Sequence, residues 1–521
     1  SISLYFVYTG GQIAVIIADF FQGVFVNIVF VVMVFFLFFS VGWNQVSEAL
    51  EQTPKNLAKE EIKKLEMEES FLALSSIEKD EKIQEIHIRY ENSSRINPFK
   101  TSHVEDFNFW YFLIGIIGVM YGTMSWQGTQ AYNASAKSAH EAKMGGVLAG
   151  FRGLPQGLFF LFVPVVIYVF MNHPDYQSVA TSVNATLDGL GTDTLRSQLR
   201  GPMVLSNVLP VGLMGAFVSV MFAAFVSTHD TYLHSWGSIF IQDVIMPFRK
   251  NPFDKETHIK VLRYSIFGVA IFIFLFSLLF QQNQKIALFF AITGAIFAGG
   301  SGAVIIGGLY WNRGTTAAAW TALSTGAIIA ISGIIIKQIS NDWLIDSSSL
   351  GGLKTIILYL KNINGQMYWG IGMGASALSY ISISLLGDTH FNMDKLLNRG
   401  EYANKNELKI VEKEPERGWK IFGMGKEFTP FDKFIYIVNY IWTFSWTLVF
   451  IVGTIYNLSN DVSNEAWMSF WKYYLVIQIG MALISIVWFT WGGFRDLKVM
   501  MVKLRSDERD HSDDGWVTDN S

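Results

Sequence analysis

The chain has 521 residues, 51 % of them hydrophobic and only 16 % charged, with a formal net charge of -4. Ordinary soluble domains carry about a quarter charged residues, and the mean hydropathy of +0.32 points the same way, so the class is an all-α polytopic membrane protein with the lipid bilayer as its first partner. There is no cysteine, which removes disulfides, thiolate chemistry and Cys-bound metals, and no basic stripe suggests nucleic acid.

Ten apolar runs reach the length of about 20 residues that a hydrocarbon core asks for. They cover residues 12–42, 108–130, 157–172, 204–243, 261–281, 286–311, 315–337, 366–387, 432–456 and 470–492. The first and fourth are overlong and should tilt or project. Loops 131–157, 244–262, 312–314 and 388–430 with the tail 493–521 hold 21 Lys and Arg, against 5 in loops 172–203, 282–286, 338–365 and 457–469. Basic loops stay inside, so the first set, with the C-terminus, is expected to be cytoplasmic in a cell (inner) membrane. The chain starts at Ser1, without Met, and runs at once into an apolar span; the expectation is a chain that lacks an N-terminal portion.

The expected organisation follows from these limits. Residues 1–42 form the first transmembrane helix, 43–107 an extracytoplasmic helical insert and 108–337 the transmembrane core. Residues 338–387 are an outer loop and the eighth transmembrane helix, 388–431 a cytoplasmic linker, 432–492 a C-terminal transmembrane pair and 493–521 an acidic cytoplasmic tail. The insert alternates Glu and Lys with apolar residues at helical spacing, which suits a solvated amphipathic helix pair.

In chain order, the first polar feature in lipid is Tyr8 to Gly23, where Asp19 and Gln22 lie three apart on one helix face. A carboxylate there is costly in hydrocarbon and should face the bundle interior or water; balancing the helix macrodipole is the other reading. The second run carries a polar-aromatic cluster of Tyr121, Ser125, Trp126, Gln127 and Gln130. Such a set suits a neutral hydroxylated solute, and interfacial anchoring plus interhelix hydrogen bonds would also account for it.

The stretch from Pro210 to Asp243 starts as a plain span and turns polar without breaking, through Ser227, Thr228, Thr231, Ser235 and Ser238. The last four are spaced three, four and three apart, on one helix face. Hydroxyls leading out of an apolar span suit a hard cation that wants oxygen ligands and a wet route. Back-bonding of Ser and Thr to their own helix carbonyls is the competing account. In the sixth run, Gly294, Ala298 and Gly302 sit four apart, a small-residue face for close helix contact. No P-loop, hydrolase elbow or metal-spaced His/Asp/Glu set occurs, so neither an enzyme nor an ATP-driven pump is expected, and no cofactor.

Ala223-Ala224, two residues, Ser227-Thr228, one residue, Asp230-Thr231 resembles the most distinctive helix of the sodium:solute symporter family, the relatives of the sodium/glucose cotransporter. Gly10-Gly11, Ala14-Val15 and Ala18-Asp19, two residues, Gln22 resembles another family stretch, with Ala18 in place of the usual Thr. Weaker likenesses are Ala136-Lys137-Ser138 with Glu141-Ala142, and the exit Leu309-Tyr310-Trp311-Asn312-Arg313 with Asn312 where Lys is common. The positions of the sugar transporters' Tyr-Trp gate are Gly122 and Thr123 here, which weakens a glucose or galactose assignment.

The resemblance implies a partial LeuT-like inverted-repeat core, core helices five to ten, followed by C-terminal helices. It implies sodium binding by the backbone carbonyl of Ala224 and the hydroxyls of Ser227 and Thr228, with Asp19 and Thr231 on the sodium exit path. The substrate candidates are Tyr121, Trp126, Gln127 and Gln130. Sodium is the coupling ion rather than a resident cofactor, and a small organic solute, sugar or polyol or similar, is the cargo. The missing N-terminal helices, core helices one to four, would be required for a complete transporter. A non-transporting membrane solute sensor with a symporter-like domain is the second reading, and a scaffold docking a partner on the insert the third.

Overall fold

A computed structural model describes residues 2–506 apart from 68, 73, 92, 101–105, 123–124, 127, 129–131, 134, 250, 252, 280–284, 341–342, 344–350, 388–389, 397–401, 403–417 and 419–422. The tail 507–521, most of the 388–431 linker, Gln127 and Gln130 therefore lie outside the described residues. Every regular element among the described residues is helical. Sixteen helices matter here: α1 (Ile2–Ser40), α2 (Trp43–Glu66), α3 (Ser76–Glu91), α4 (Phe109–Tyr121), α5 (Ala139–Arg152), α6 (Leu154–Asn172), α7 (Gln177–Leu187), α8 (Asp193–Val208), α9 (Val211–Ile239), α10 (Lys255–Leu279), α11 (Ile286–Tyr310), α12 (Thr316–Gln338), α13 (Gly352–Asn362), α14 (Gly365–Leu386), α15 (Pro430–Ser459) and α16 (Asn464–Ser506).

Nine helical stretches among the described residues are long and apolar enough to span a bilayer: Ile2–Ser40, Ala139–Asn172, Val211–Phe248, Lys255–Leu279, Ile286–Tyr310, Thr316–Gln338, Gly365–Leu386, Pro430–Ser459 and Asn464–Ser506. The run expected at 108–130 accounts for the difference from ten. Its helix, α4, has 13 residues and stops at Tyr121, where the Gly122 amide closes on the Gly118 carbonyl at 2.7 Å. Thirteen residues rise about 20 Å, short of a core about 30 Å thick. The run at 157–172, by contrast, gains length, because α5 continues into α6 through Gly153.

The chain divides into two compact units. One holds Ser1–Asn97, Gly128–Gln281 and Pro430–Ser521. In it α1 packs along α9 and against α6 and α16, and α9 packs against α10. Its core is aliphatic and aromatic: Met33, Val34 and Leu37 of α1 and Val166 and Val169 of α6 are fully buried, and Phe30 stacks on Phe159 at 3.9 Å. The helix α1 is broken once, at Gly11, whose φ of 55 and ψ of -153 lie where only glycine rests without strain. Ile2–Gly10 and Gln12–Ser40 are thus separate helical pieces meeting at an angle.

In the same unit, α2 and α3 pack on each other. The Tyr90 hydroxyl donates to Glu61 at 2.7 Å, and Arg89 pairs with the same carboxylate. The segment is also tied to the rest of the unit at both ends. Thr53 meets Tyr168 at 2.7 Å, and His173 lies 3.1 Å from Glu48. At the far end, Ser94 donates to Asn464 at 3.0 Å and the Trp471 indole donates to the Ile96 carbonyl at 2.9 Å.

The second unit holds Pro98–Gln127 and Gln282–Thr429. Its centre is a three-helix pack of α11, α12 and α14. Glycines let the backbones touch: a Cβ on Gly300 would fall 2.6 Å from the Ala322 carbonyl, and one on Gly326 2.7 Å from the Gly300 amide. The contact face differs from the expected Gly294–Ala298–Gly302 row. Gly302 packs, against Tyr121, but Gly294 has nothing within 4 Å. The close approach runs through Gly299 and Gly300, one position round the helix.

Candidate functional site

The polar cluster of the first unit is built on α1 and α9. The α9 stretch is one unbroken helix through Ala224, Ser227, Thr228 and Thr231. Positions four apart share a face, so the residues fall into two rows. Ser227 and Thr231 turn toward α1, where Asp19 waits two turns into the helix beyond the Gly11 break. The Ser227 hydroxyl donates to Asp19 Oδ1 at 2.5 Å, and the Thr231 hydroxyl reaches Asp19 Oδ2 at 3.5 Å. Ala224 and Thr228 form the neighbouring row and are exposed. The Ala224 carbonyl belongs to a continuous helix, so one lone pair serves the ladder and one remains.

The hydroxyl stripe is divided in its use. Ser238 bonds back to the His234 and Ser235 carbonyls of its own helix at 2.9 and 3.0 Å. Ser235 donates to the Gly128 carbonyl at 2.9 Å. Only Ser227 and Thr231 turn to a carboxylate. Beyond the stripe, the helix continues through a π turn at Phe240–Ile245.

Two residues that sequence reasoning passed over belong to this cluster. Tyr132 brings its phenol 3.4 Å from the Thr231 hydroxyl. Nothing in its local sequence distinguishes it from an interfacial tyrosine, because the contact joins residues 99 apart. Asp230 is fully buried, with the Ser3 hydroxyl of α1 as a polar neighbour of its carboxylate. A carboxylate inside a span was the available signal.

The substrate candidates lie in the second unit. Tyr121 donates its hydroxyl to the Gly299 carbonyl at 2.8 Å, so α4 is fastened to α11 by that phenol. Ser125 closes on the Gly122 carbonyl at 2.6 Å within its own turn. Trp126 is 51 % exposed. Gln127 and Gln130 lie outside the described residues.

The arrangement defines a class: a multi-pass α-helical membrane protein with a carboxylate and hydroxyls gathered between two spans. The model of the sodium:solute symporter family matches residues 1–326, and the chain belongs to that family, one of transporters rather than enzymes. Among curated proteins it is 22 % identical over 206 residues to a sodium/mannose cotransporter of Bos taurus, covering 39 % of this chain and 34 % of that one. It is 28 % identical over 151 residues to sodium/glucose cotransporter 4 of Homo sapiens, covering 29 % of this chain and 22 % of that one. The chain thus spans well under two thirds of the curated relatives it matches. Among solved structures, a substrate-bound outward-open Na+-coupled sialic acid symporter aligns with a TM-score of 0.44 and 15 % identity, over 74 % of this chain and 65 % of that one.

Proposed function

We propose that the chain serves sodium-coupled symport of a small organic solute across the cell membrane by alternating access, with its C-terminus in the cytoplasm. Sodium, as cargo, is held by Ala224, Ser227 and Thr228 and leaves past Asp19 and Thr231; α1 and the helices through α11 correspond to core helices five to ten of a LeuT-like repeat. The observation that carries this reading is the 2.5 Å contact between Asp19 and Ser227. A carboxylate in a span is stable only when paired or neutralised, and two hydroxyls beside it provide the oxygen set a hard cation takes up in place of water. Inward flow of one positive charge releases about 2.3 kcal/mol per 100 mV of membrane potential. Tyr121 and Trp126, with Gln127 and Gln130, are the proposed solute contacts.

The test is uptake of a panel of labelled sugars, polyols and related solutes by the full-length gene product in proteoliposomes, with sodium or choline outside. Sodium-stimulated accumulation is expected for at least one solute. Ser227→Ala and Thr228→Ala should each raise the sodium KM by about tenfold or more, the scale of a lost bond to a charged group. Uptake that ignores both substitutions would remove the sodium assignment.

A further inference from the structure

We infer that His173 is a proton-sensitive latch for the insert: a proton added to its ring ties the first insert helix, α2, more tightly to the end of α6. The latch depends neither on the cargo nor on the coupling ion proposed above.

His173 caps the C-terminal end of α6, and its ring is buried, 6 % exposed. The two ring nitrogens have different tasks. A backbone amide only donates, and the Asp175 amide points at Nδ1 from 3.2 Å. Nδ1 therefore presents a lone pair, and the proton of the neutral ring sits on Nε2. Nε2 lies 3.1 Å from Glu48 Oε2, so it donates to a carboxylate of α2. Asp175 Oδ2 lies 3.6 Å from Nδ1, where a neutral ring offers it no proton. That same oxygen accepts from the Gln45 side-chain amide of α2 at 2.6 Å. Gln45 in turn accepts from the Gly42 amide at 2.8 Å, which fixes it at the root of the insert.

A second proton changes three contacts. The bond from Nε2 to Glu48 becomes a bond between opposite charges, which is the stronger kind. Nδ1 gains a proton that faces the Asp175 carboxylate, and a carboxylate has lone pairs enough to accept it while keeping Gln45. Glu48, His173, Asp175 and Gln45 then form a closed polar ring that starts and ends on α2. The contact given up is the one from the Asp175 amide; Asp175 is exposed, so water replaces it.

The charged groups that face the ring, among the described residues, are Glu48 from α2 and Asp175 from the turn Pro174–Tyr176. α6 and α7 carry no charged side chain, and neither do the last turns of α1. Glu51, about one turn beyond Glu48, accepts from Ser47. The Tyr176 ring stands 6.0 Å away, with its hydroxyl engaged by the Ser40 carbonyl and Gln45. Histidine is the side chain that changes charge between pH 5 and 8, which sets the conditions of the test.

The experiment reads how often α2 lifts from its seat. Ala49 of α2 is buried, and the chain has no cysteine, so Ala49→Cys gives a lone thiol covered by the latched helix. Its reaction rate with a methanethiosulfonate reagent is measured on the purified full-length gene product in detergent, at about pH 8 and about pH 5.5. Dividing by the rate of the exposed Asn460→Cys removes the pH dependence of the thiol chemistry. The ratio should fall about threefold on acidification, the scale of an ion pair with one buried and one exposed partner. Glu48→Gln should shrink that fall and His173→Asn should abolish it, each variant being checked for monodisperse elution. A ratio equal at the two pH values overturns the latch, and so does a fall that either substitution leaves undiminished. A second readout needs no thiol: Glu48→Gln should lower the thermal midpoint more at the acidic pH than at the alkaline one, and His173→Asn should remove the difference. Equal losses at both pH values overturn the latch even where the buried thiol does not react.

Discussion

At the residue scale, the cluster around Asp19 illustrates how a helix separates neighbours in sequence. Ser227 and Thr228 are adjacent, yet successive residues are turned by about 100°, and only Ser227 reaches the carboxylate. Gly11 works differently, through its own backbone. Its conformation is closed to residues with a Cβ, although a Cβ there would meet nothing within 4 Å. Gly11→Ala should therefore destabilise the protein by about 1–3 kcal/mol through backbone strain alone. Gly23 makes a fair control, being helical with equally open surroundings, and Gly23→Ala should be neutral or mildly stabilising. Thermal unfolding in detergent separates the two; equal midpoints for both variants would contradict the strain argument.

At the scale of elements, helix ends outside the membrane are governed by capping. Asp254 precedes α10 and accepts from the Thr257 amide at 3.1 Å. That side-chain and backbone bonding to Thr257 holds its carboxyl below the ordinary aspartate value. A depressed folded pKa gives stability that is fully present above the unfolded value of about 3.9 and fades as pH falls through the lower folded value. Asparagine caps without titrating. The wild type should thus lose midpoint temperature relative to Asp254→Asn between neutral pH and about pH 3; a difference independent of pH would refute the titrating cap. The short α4 is instructive in another way. Composition made 108–130 one span, but the chain closes at Gly122 and the helix ends at 13 residues. Hydropathy averages over a window and does not register where a glycine terminates a ladder.

At the scale of the whole molecule, membership of the sodium:solute symporter family and the distribution of charge make orientation a direct prediction. Lys and Arg gather on one set of loops, 21 against 5, and basic loops stay on the cytoplasmic side. The chain has no cysteine, so single introduced thiols report without background. In intact cells, a membrane-impermeant maleimide should label Asn460→Cys and leave Ser506→Cys unlabelled until the membrane is opened. The opposite labelling pattern would invert the proposed topology and with it the direction of the cation route.

What the sequence determined by itself is what depends on local chemistry. Spans follow from runs of apolar residues, because hydrocarbon forces each segment to satisfy its own backbone bonds as a helix. The family was legible in Ala223–Thr231 and Gly10–Gln22 because a short pattern of small and hydroxylated residues is specific when it sits inside such a span. What only the tertiary structure decided is which of those groups meet. Asp19 and Ser227 are 208 residues apart, and Tyr132 and Thr231 are 99 apart; no periodicity carries information over that distance. The division of one hydroxyl stripe between a carboxylate, a neighbouring backbone carbonyl and its own helix, like the choice of Gly299 and Gly300 over Gly294 for close packing, depends on which way each helix is rotated. That rotation is set by the packing of its neighbours rather than by its own residues.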